Sequence, residues 1–305
     1  MPEQEPRQTP QAERPSQPSP PRSSRKPEKI TVPHVAAAPR EGRRPVTVTA
    51  YDFQQARTAD AAGVDVVLVG DSVANVVLGY DDTLSVTMDE MLHHVKAVRR
   101  GLSRALLVAD MPYGSFHLGP RSAVQNALRF VKEAGAEAVK IEGARPDVIA
   151  ALVGAEIPVM AHLGLTPQSI HTLGGYKVQG RGEAAEALLA AAREVEAAGA
   201  FSLVLECVPA VLAAEITAAL SIPTIGIGAG AGTTGQVLVY HDLLGLEERI
   251  APRFVRRYAE LGRTAREALE SYADDVRSGR FPSDDESYGD PSRKAPETLS
   301  KLYGA

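Results

Sequence analysis

Five ionisable residues recur at the ends of short apolar runs: Asp71, Asp110, Glu142, His162 and Glu206. If the runs are parallel strands closed into a barrel, their C-terminal ends converge on one face, where such folds build their sites. One pocket would then receive four carboxylates and an imidazole. Taken singly, an acid after a strand is as well explained as a helix N-cap, but five in register are harder to explain that way. Clustered carboxylates repel one another and shift upward in pKa unless a cation sits among them. An oxygen-rich donor set without cysteine favours magnesium over zinc. Lys140 stands two residues before Glu142, so the two-residue period of a strand puts both on the same interior face. Its ammonium would attract an anionic substrate; the alternative is a structural salt bridge.

The elements that must position these residues alternate. β-Branched runs at 46–50, 65–69, 105–109, 138–141, 158–161, 202–205, 224–227 and 236–240 read as strands. Ala-rich stretches of helical period lie between them at 53–62, 88–100, 121–134, 146–154, 183–198 and 209–220. Several end at a glycine suited to closing a helix. The phrases EAGAEAVKIE, EAAGAFSLVLE and AAGVDVVLVGD repeat one helix–turn–strand–acid unit. This pattern predicts an α/β fold, a closed (β/α)8 barrel of TIM type, although an open doubly wound sheet shares most of its features.

Bulk properties narrow the class. The 305 residues are 44% hydrophobic and 23% charged, ordinary for a globular chain of one large domain. A net charge of −5 argues against a nucleic-acid surface, which needs clustered cations, and points to a small-molecule partner. The lone cysteine, Cys207, rules out an internal disulfide and fits a cytoplasmic location. No apolar stretch approaches the ~18 residues of a membrane span, and the proline-rich N-terminus resembles neither a signal peptide nor a presequence. The expected organisation is a disordered Pro/Ser/Arg-rich tail over 1–44, a catalytic barrel over 45–281 and a C-terminal tail over 282–305.

Weaker features have competing readings. GIGAGAGTTG, at 226–235, fits either a phosphate-binding loop or a tight turn. LGGYKVQGRG, at 173–182, is a glycine-flanked loop suited to a lid, or a passive connection. His93 and His94 fall on a helix and are expected at the surface or in packing. By alternation Cys207 should face the helices as a buried packing residue.

Between about 45 and 281 the chain resembles the ketopantoate hydroxymethyltransferase family, of the phosphoenolpyruvate mutase/isocitrate lyase-like superfamily of barrels. The resemblance rests on VTAYD (48–52), LVGDS (68–72), ADMP (109–112), VKIEG (139–143), HLGLTPQS (162–169), GGYKVQGR (174–181), LECVP (205–209) and IGIGAG (225–230). Ala74 stands where glycine is common and Ser85 where proline is; neither touches a polar site residue. The resemblance implies that Asp71 and Asp110 bind Mg2+, with Glu142 completing or supporting the site. It further implies that Ser72 and Lys140 hold the substrate, that His162 lines the pocket, and that Glu206 is the base. The implied reaction carries a one-carbon unit from 5,10-methylenetetrahydrofolate to 3-methyl-2-oxobutanoate, giving 2-dehydropantoate. Homo-oligomers, commonly decamers, are also implied. A lyase or mutase of the same superfamily is the rival reading.

Overall fold

The computed structural model describes residues 28–249 and 252–289. Eight parallel strands pair in chain order: β1 (Val46–Thr49), β2 (Val66–Val69), β3 (Leu106–Asp110), β4 (Ala138–Glu142), β5 (Val159–Gly164), β6 (Ser202–Glu206), β7 (Thr224–Ile227) and β8 (Gly235–Leu238). The last closes on the first through Val46↔Gln236, Thr47↔Val237 and Val48↔Leu238. That closure decides for the barrel over the open sheet, which would leave two unpaired edges.

Side-chain alternation divides each strand between two cores. Val67 and Val69, Leu107 and Ala109, Val139 and Ile141, and Leu203 and Leu205 face outward into the cluster shared with the helices. The opposite parity fills the barrel. Its lower rungs are apolar, including Val66, Leu106, Val108, Ala138, Met160 and Val204. Two residues further along the same faces come Asp110, Lys140, His162 and Glu206, so the charged site stands on an apolar floor.

The helices are α1 (Val32–Ala36), α2 (Phe53–Ala61), α3 (Val73–Val76), α4 (Met88–Gly101), α5 (Pro120–Ala134), α6 (Pro146–Gly154), α7 (Ile170–Leu173), α8 (Ala184–Ala197), α9 (Ala210–Ala219), α10 (Tyr240–Leu243) and α11 (Leu261–Ser278). α4 shows how the outer layer is specified. Thr87 and Glu90 cap its start reciprocally, worth about 1 kcal/mol, and Met91, Leu92, Val95 and Val98 form the buried face. The repeated Ala-Gly turns place Gly63, Gly135 and Gly199 at φ of 83°, 71° and 99°, a region that disfavours a side chain. The glycines after β7 serve packing: a Cβ on Gly230 would lie 2.5 Å from that of Ala210, and one on Gly232 2.8 Å from that of Ala214, both on α9. Close approach to α9 is thus a visible cause for two of these glycines, and it is separate from the phosphate-loop and tight-turn readings of the sequence.

The N-terminal end departs from expectation. The tail expected over 1–44 includes residues that fold, since 28–44 contain α1, while 1–27 lie outside the described residues. Val35 is 1% exposed and joins the apolar cluster inside the barrel, with Ile30 and Val32 packed against it. Lys29 adds hydrogen bonds to the Ala105 carbonyl at 2.8 Å and to Glu137 at 2.7 Å. A few apolar residues suffice here because the barrel bottom offers them a preformed seat. At the other end α11 buries none of its side chains; the expected tail is described only as far as 289.

Candidate active site

Strand register explains the first contacts. Asp110 pairs with Lys140 across β3 and β4, and Glu142 with His162 across β4 and β5. Lys140 Nζ accordingly lies 2.6 Å from Asp110 Oδ2 and 3.6 Å from Glu142 Oε1. His162 bridges two acids, with Nδ1 3.4 Å from Glu142 Oε1 and Nε2 3.3 Å from Glu206 Oε2. These are ion-pair distances, but neither contact is aligned as a hydrogen bond. Asp71, just past β2, offers its backbone N–H to Asp110 Oδ2 at 3.2 Å. Ser72 exchanges a hydrogen bond of 2.8 Å with the hydroxyl of Tyr51. All seven residues expected at the site line one cavity of about 630 Å3.

Burial sharpens the electrostatics. Asp71 is pushed well above the usual carboxylate range by loss of water, then by Asp110 and Glu142. Asp110 is likewise raised by burial, against the pull of Lys140. Burial also works to raise Glu142, but Lys140 and His162 outweigh it and the net direction is down. Lys140 is held above its ordinary value because three carboxylates overcome its own desolvation. His162 rises to about 9: burial and Lys140 oppose its charging, and Glu142 and Glu206 prevail.

Among the described residues, no three His, Cys, Asp or Glu side chains close into a metal cage. Magnesium does not need one, since it keeps several waters and takes only one or two protein carboxylates. Asp71 and Asp110 fit that requirement. Both are buried, Asp110 Oδ1 has no partner, and the raised pKa values of the pair are the strain a cation would relieve. Glu142 is otherwise engaged, by Lys140, His162 and the Gln168 N–H at 3.0 Å, which suits it to support rather than direct ligation.

A sequence model described as ketopantoate hydroxymethyltransferase matches residues 29–284. The chain belongs to the ketopantoate hydroxymethyltransferase family. The 3-methyl-2-oxobutanoate hydroxymethyltransferase of Frankia alni is 55% identical over 270 residues, 88% of either chain. That of Pelobacter propionicus is 53% identical over 262 residues, 85% of this chain and 97% of its own. Among solved structures the fold is similar to a phosphonopyruvate hydrolase, in complex with oxalate and Mg++, at a TM-score of 0.56 and 15% identity, covering 90% and 95% of the two chains. It is also similar to 2,3-dimethylmalate lyase, a member of the PEP mutase/isocitrate lyase superfamily, at 0.52 and 19%, covering 90% and 94%. The family and the barrel class read from the motifs are thus both found.

Two positions of this family member escaped the strand-end rule. Gln168 is buried, donates through Nε2 to Asp71 Oδ2 at 2.8 Å and to the Met111 carbonyl at 3.0 Å, and ties β2, β3 and β4 together. It lies within the quoted HLGLTPQS motif, but no periodicity singles out a loop residue. Gly164, at φ 95°, ends β5 against β6: a Cβ there would stand 2.2 Å from the Glu206 carbonyl oxygen. Cys207 is a correction. It was expected to face the helices, yet it lines the cavity, because its φ of 49° breaks the alternation of β6. Burial and Glu206 push its thiol up to about 11, which makes it a poor nucleophile. His93 is exposed and His94 bonds the Tyr51 carbonyl at 2.7 Å, so both stand in the packing or surface roles expected of them.

Proposed function

We propose that this protein, consuming one water, transfers a hydroxymethyl group from 5,10-methylenetetrahydrofolate to 3-methyl-2-oxobutanoate, giving 2-dehydropantoate and tetrahydrofolate. The observation that carries the reading is the Asp110–Lys140–Glu142–His162–Glu206 chain of contacts within a buried pocket, in a member of a family of that activity. Asp71 and Asp110 would hold Mg2+, with Glu142 in support. When bound, the ion supplies Lewis acidity to a keto oxygen, worth several kcal/mol as negative charge builds there.

The chain's own residues do the rest. Lys140 and the Ser72 hydroxyl offer positive charge and a donor to the carboxylate and keto group of the substrate. Glu206, at the end of β6, takes the proton from C3 of the keto acid. One water opens the folate methylene: both of its carbon–nitrogen bonds break, the two nitrogens of tetrahydrofolate take the water's protons, and the water oxygen stays on the carbon. The enolate carbon bonds that carbon, and the oxygen takes back the proton held by Glu206 to become the new hydroxyl. His162 stands against Glu206 and fixes its orientation. The 173–182 loop, anchored by the Gln179 N–H on the Cys207 carbonyl at 2.9 Å, would limit water at the mouth.

Among the described residues no helix is long and apolar enough to cross a membrane, and the reading places the enzyme in the cytoplasm, working on small molecules. A homo-oligomer accompanies it. Leu269, Tyr272 and Val276, spaced along one face of α11, are 66%, 53% and 47% exposed, more apolar surface than one helix leaves in water without a partner. The test of function is exchange of the C3 hydrogen of 3-methyl-2-oxobutanoate in deuterated water. It should require Mg2+, stop on chelation, and be accompanied by 2-dehydropantoate when 5,10-methylenetetrahydrofolate is added. Absence of both exchange and product would sink the reading.

A further inference from the structure

The cavity is far larger than the keto acid. Its volume of about 630 Å3 suits a drug-sized ligand, whereas the keto acid has only about eight non-hydrogen atoms. The acids and Lys140 described above occupy its floor. Its mouth is built by two segments that begin three strands apart around the barrel. The loop after β5 brings Tyr176 and Lys177, and the segment beyond α10 brings Arg253 and Phe254.

This rim has a different chemistry from the floor. Tyr176 and Phe254 are 61% and 36% exposed, though large and aromatic. Phe254 is nonetheless seated, for its ring lies on the loop after β7, where a Cβ on Gly228 would meet it at 2.9 Å. Among the described residues Lys177 and Arg253 form no ion pair, whereas the neighbouring Arg249 and Arg257 are tied to Glu247 and Glu260.

We propose that the rim is the co-substrate subsite: Tyr176 and Phe254 receive the flat rings of 5,10-methylenetetrahydrofolate, and Lys177 and Arg253 hold its glutamate carboxylates. The proposal rests on the reading above, in which a folate donates the carbon. Charge dictates the orientation. The reactive methylene must reach down toward Glu206, but the floor holds Asp71, Asp110, Glu142 and Glu206 and repels an anionic tail. The tail therefore stays at the mouth, where the uncommitted cations are. Aromatic faces favour flat ring systems over aliphatic ones.

The test is equilibrium binding to the full chain, by calorimetry with Mg2+ and 3-methyl-2-oxobutanoate present. Two probes are compared: tetrahydrofolate, and the methylamide of tetrahydropteroate, which has the same rings and no carboxylate. Lys177→Ala and Arg253→Ala should each weaken tetrahydrofolate about three- to tenfold, as expected for exposed ionic contacts, and leave the methylamide within twofold. Arg253→Lys should restore most of the loss, and Phe254→Ala should weaken both probes alike. In turnover the KM for 5,10-methylenetetrahydrofolate should rise by the same factor, with that for the keto acid moving less than about twofold. Tetrahydrofolate affinity equal in wild type, Lys177→Ala and Arg253→Ala overturns the subsite, as does equal loss of both probes in those two variants. If wild type exchanges C3 hydrogen but binds neither probe, the folate part of the reading fails and the subsite with it. If it lacks exchange as well, the functional reading fails first.

Discussion

Lys140 Nζ stands 2.6 Å from Asp110 Oδ2, between strands whose Cα positions pair at those two residues. The lysine is the internal counter-charge of a pocket holding Asp71, Asp110, Glu142 and Glu206. In Lys140→Met the carboxylates lose it, and the metal-free protein should lose about 3–5 kcal/mol of stability in urea unfolding. Mg2+ should restore more stability to the variant than to wild type, because it supplies the missing charge. Equal stabilisation of the two would show that Lys140 and the ion do not share a role.

Glu206→Gln keeps shape and removes the base. Exchange at C3 should fall by at least about 10²-fold, with keto-acid affinity changed only a few-fold. Retained exchange would move the base elsewhere, and His162 would be the next residue to test.

Gly164→Ala tests the close approach of β5 to β6. The new methyl cannot coexist with the Glu206 carbonyl at 2.2 Å, and the residue would also carry the strain of φ 95°. Unfolding measurements should show a loss of roughly 2–5 kcal/mol, with turnover reduced further because Glu206 is displaced. Unchanged stability and rate would mean that the strand ends are more compliant than their spacing indicates.

These cases mark what could be read beforehand. Asp110, Lys140 and Glu142 were legible because strand alternation is a local rule, and a parallel barrel converts it into convergence at one end. Gln168 and Gly164 were not, since each acts through a partner on another strand and nothing in a loop's local sequence records that contact. Cys207 misled for a related reason: its left-handed backbone interrupts the period on which the expectation depended. The seat of α1 was missed because composition judged residues 28–44 by themselves, while their stability comes from the barrel bottom.

His162 predicts a pH dependence. Against burial and Lys140, the carboxylates of Glu142 and Glu206 lift it to about 9 in the folded protein, compared with about 6.5 in an unfolded chain. The folded state thus binds this proton more tightly. Its contribution is complete below about pH 6.5 and disappears as pH rises through about 9. Metal-free wild type should lose roughly 3 kcal/mol more stability across that window than His162→Gln. Parallel stability curves for the two proteins would contradict it.

Val35 closes the bottom of the barrel, so among the described residues the well opens at its mouth alone. With the folate subsite at that doorway, traffic is last in, first out. The keto acid has to enter before the folate, and tetrahydrofolate has to depart before 2-dehydropantoate can leave. A folate already seated at the mouth would then block an empty well, so high folate concentrations should slow turnover when keto acid is scarce.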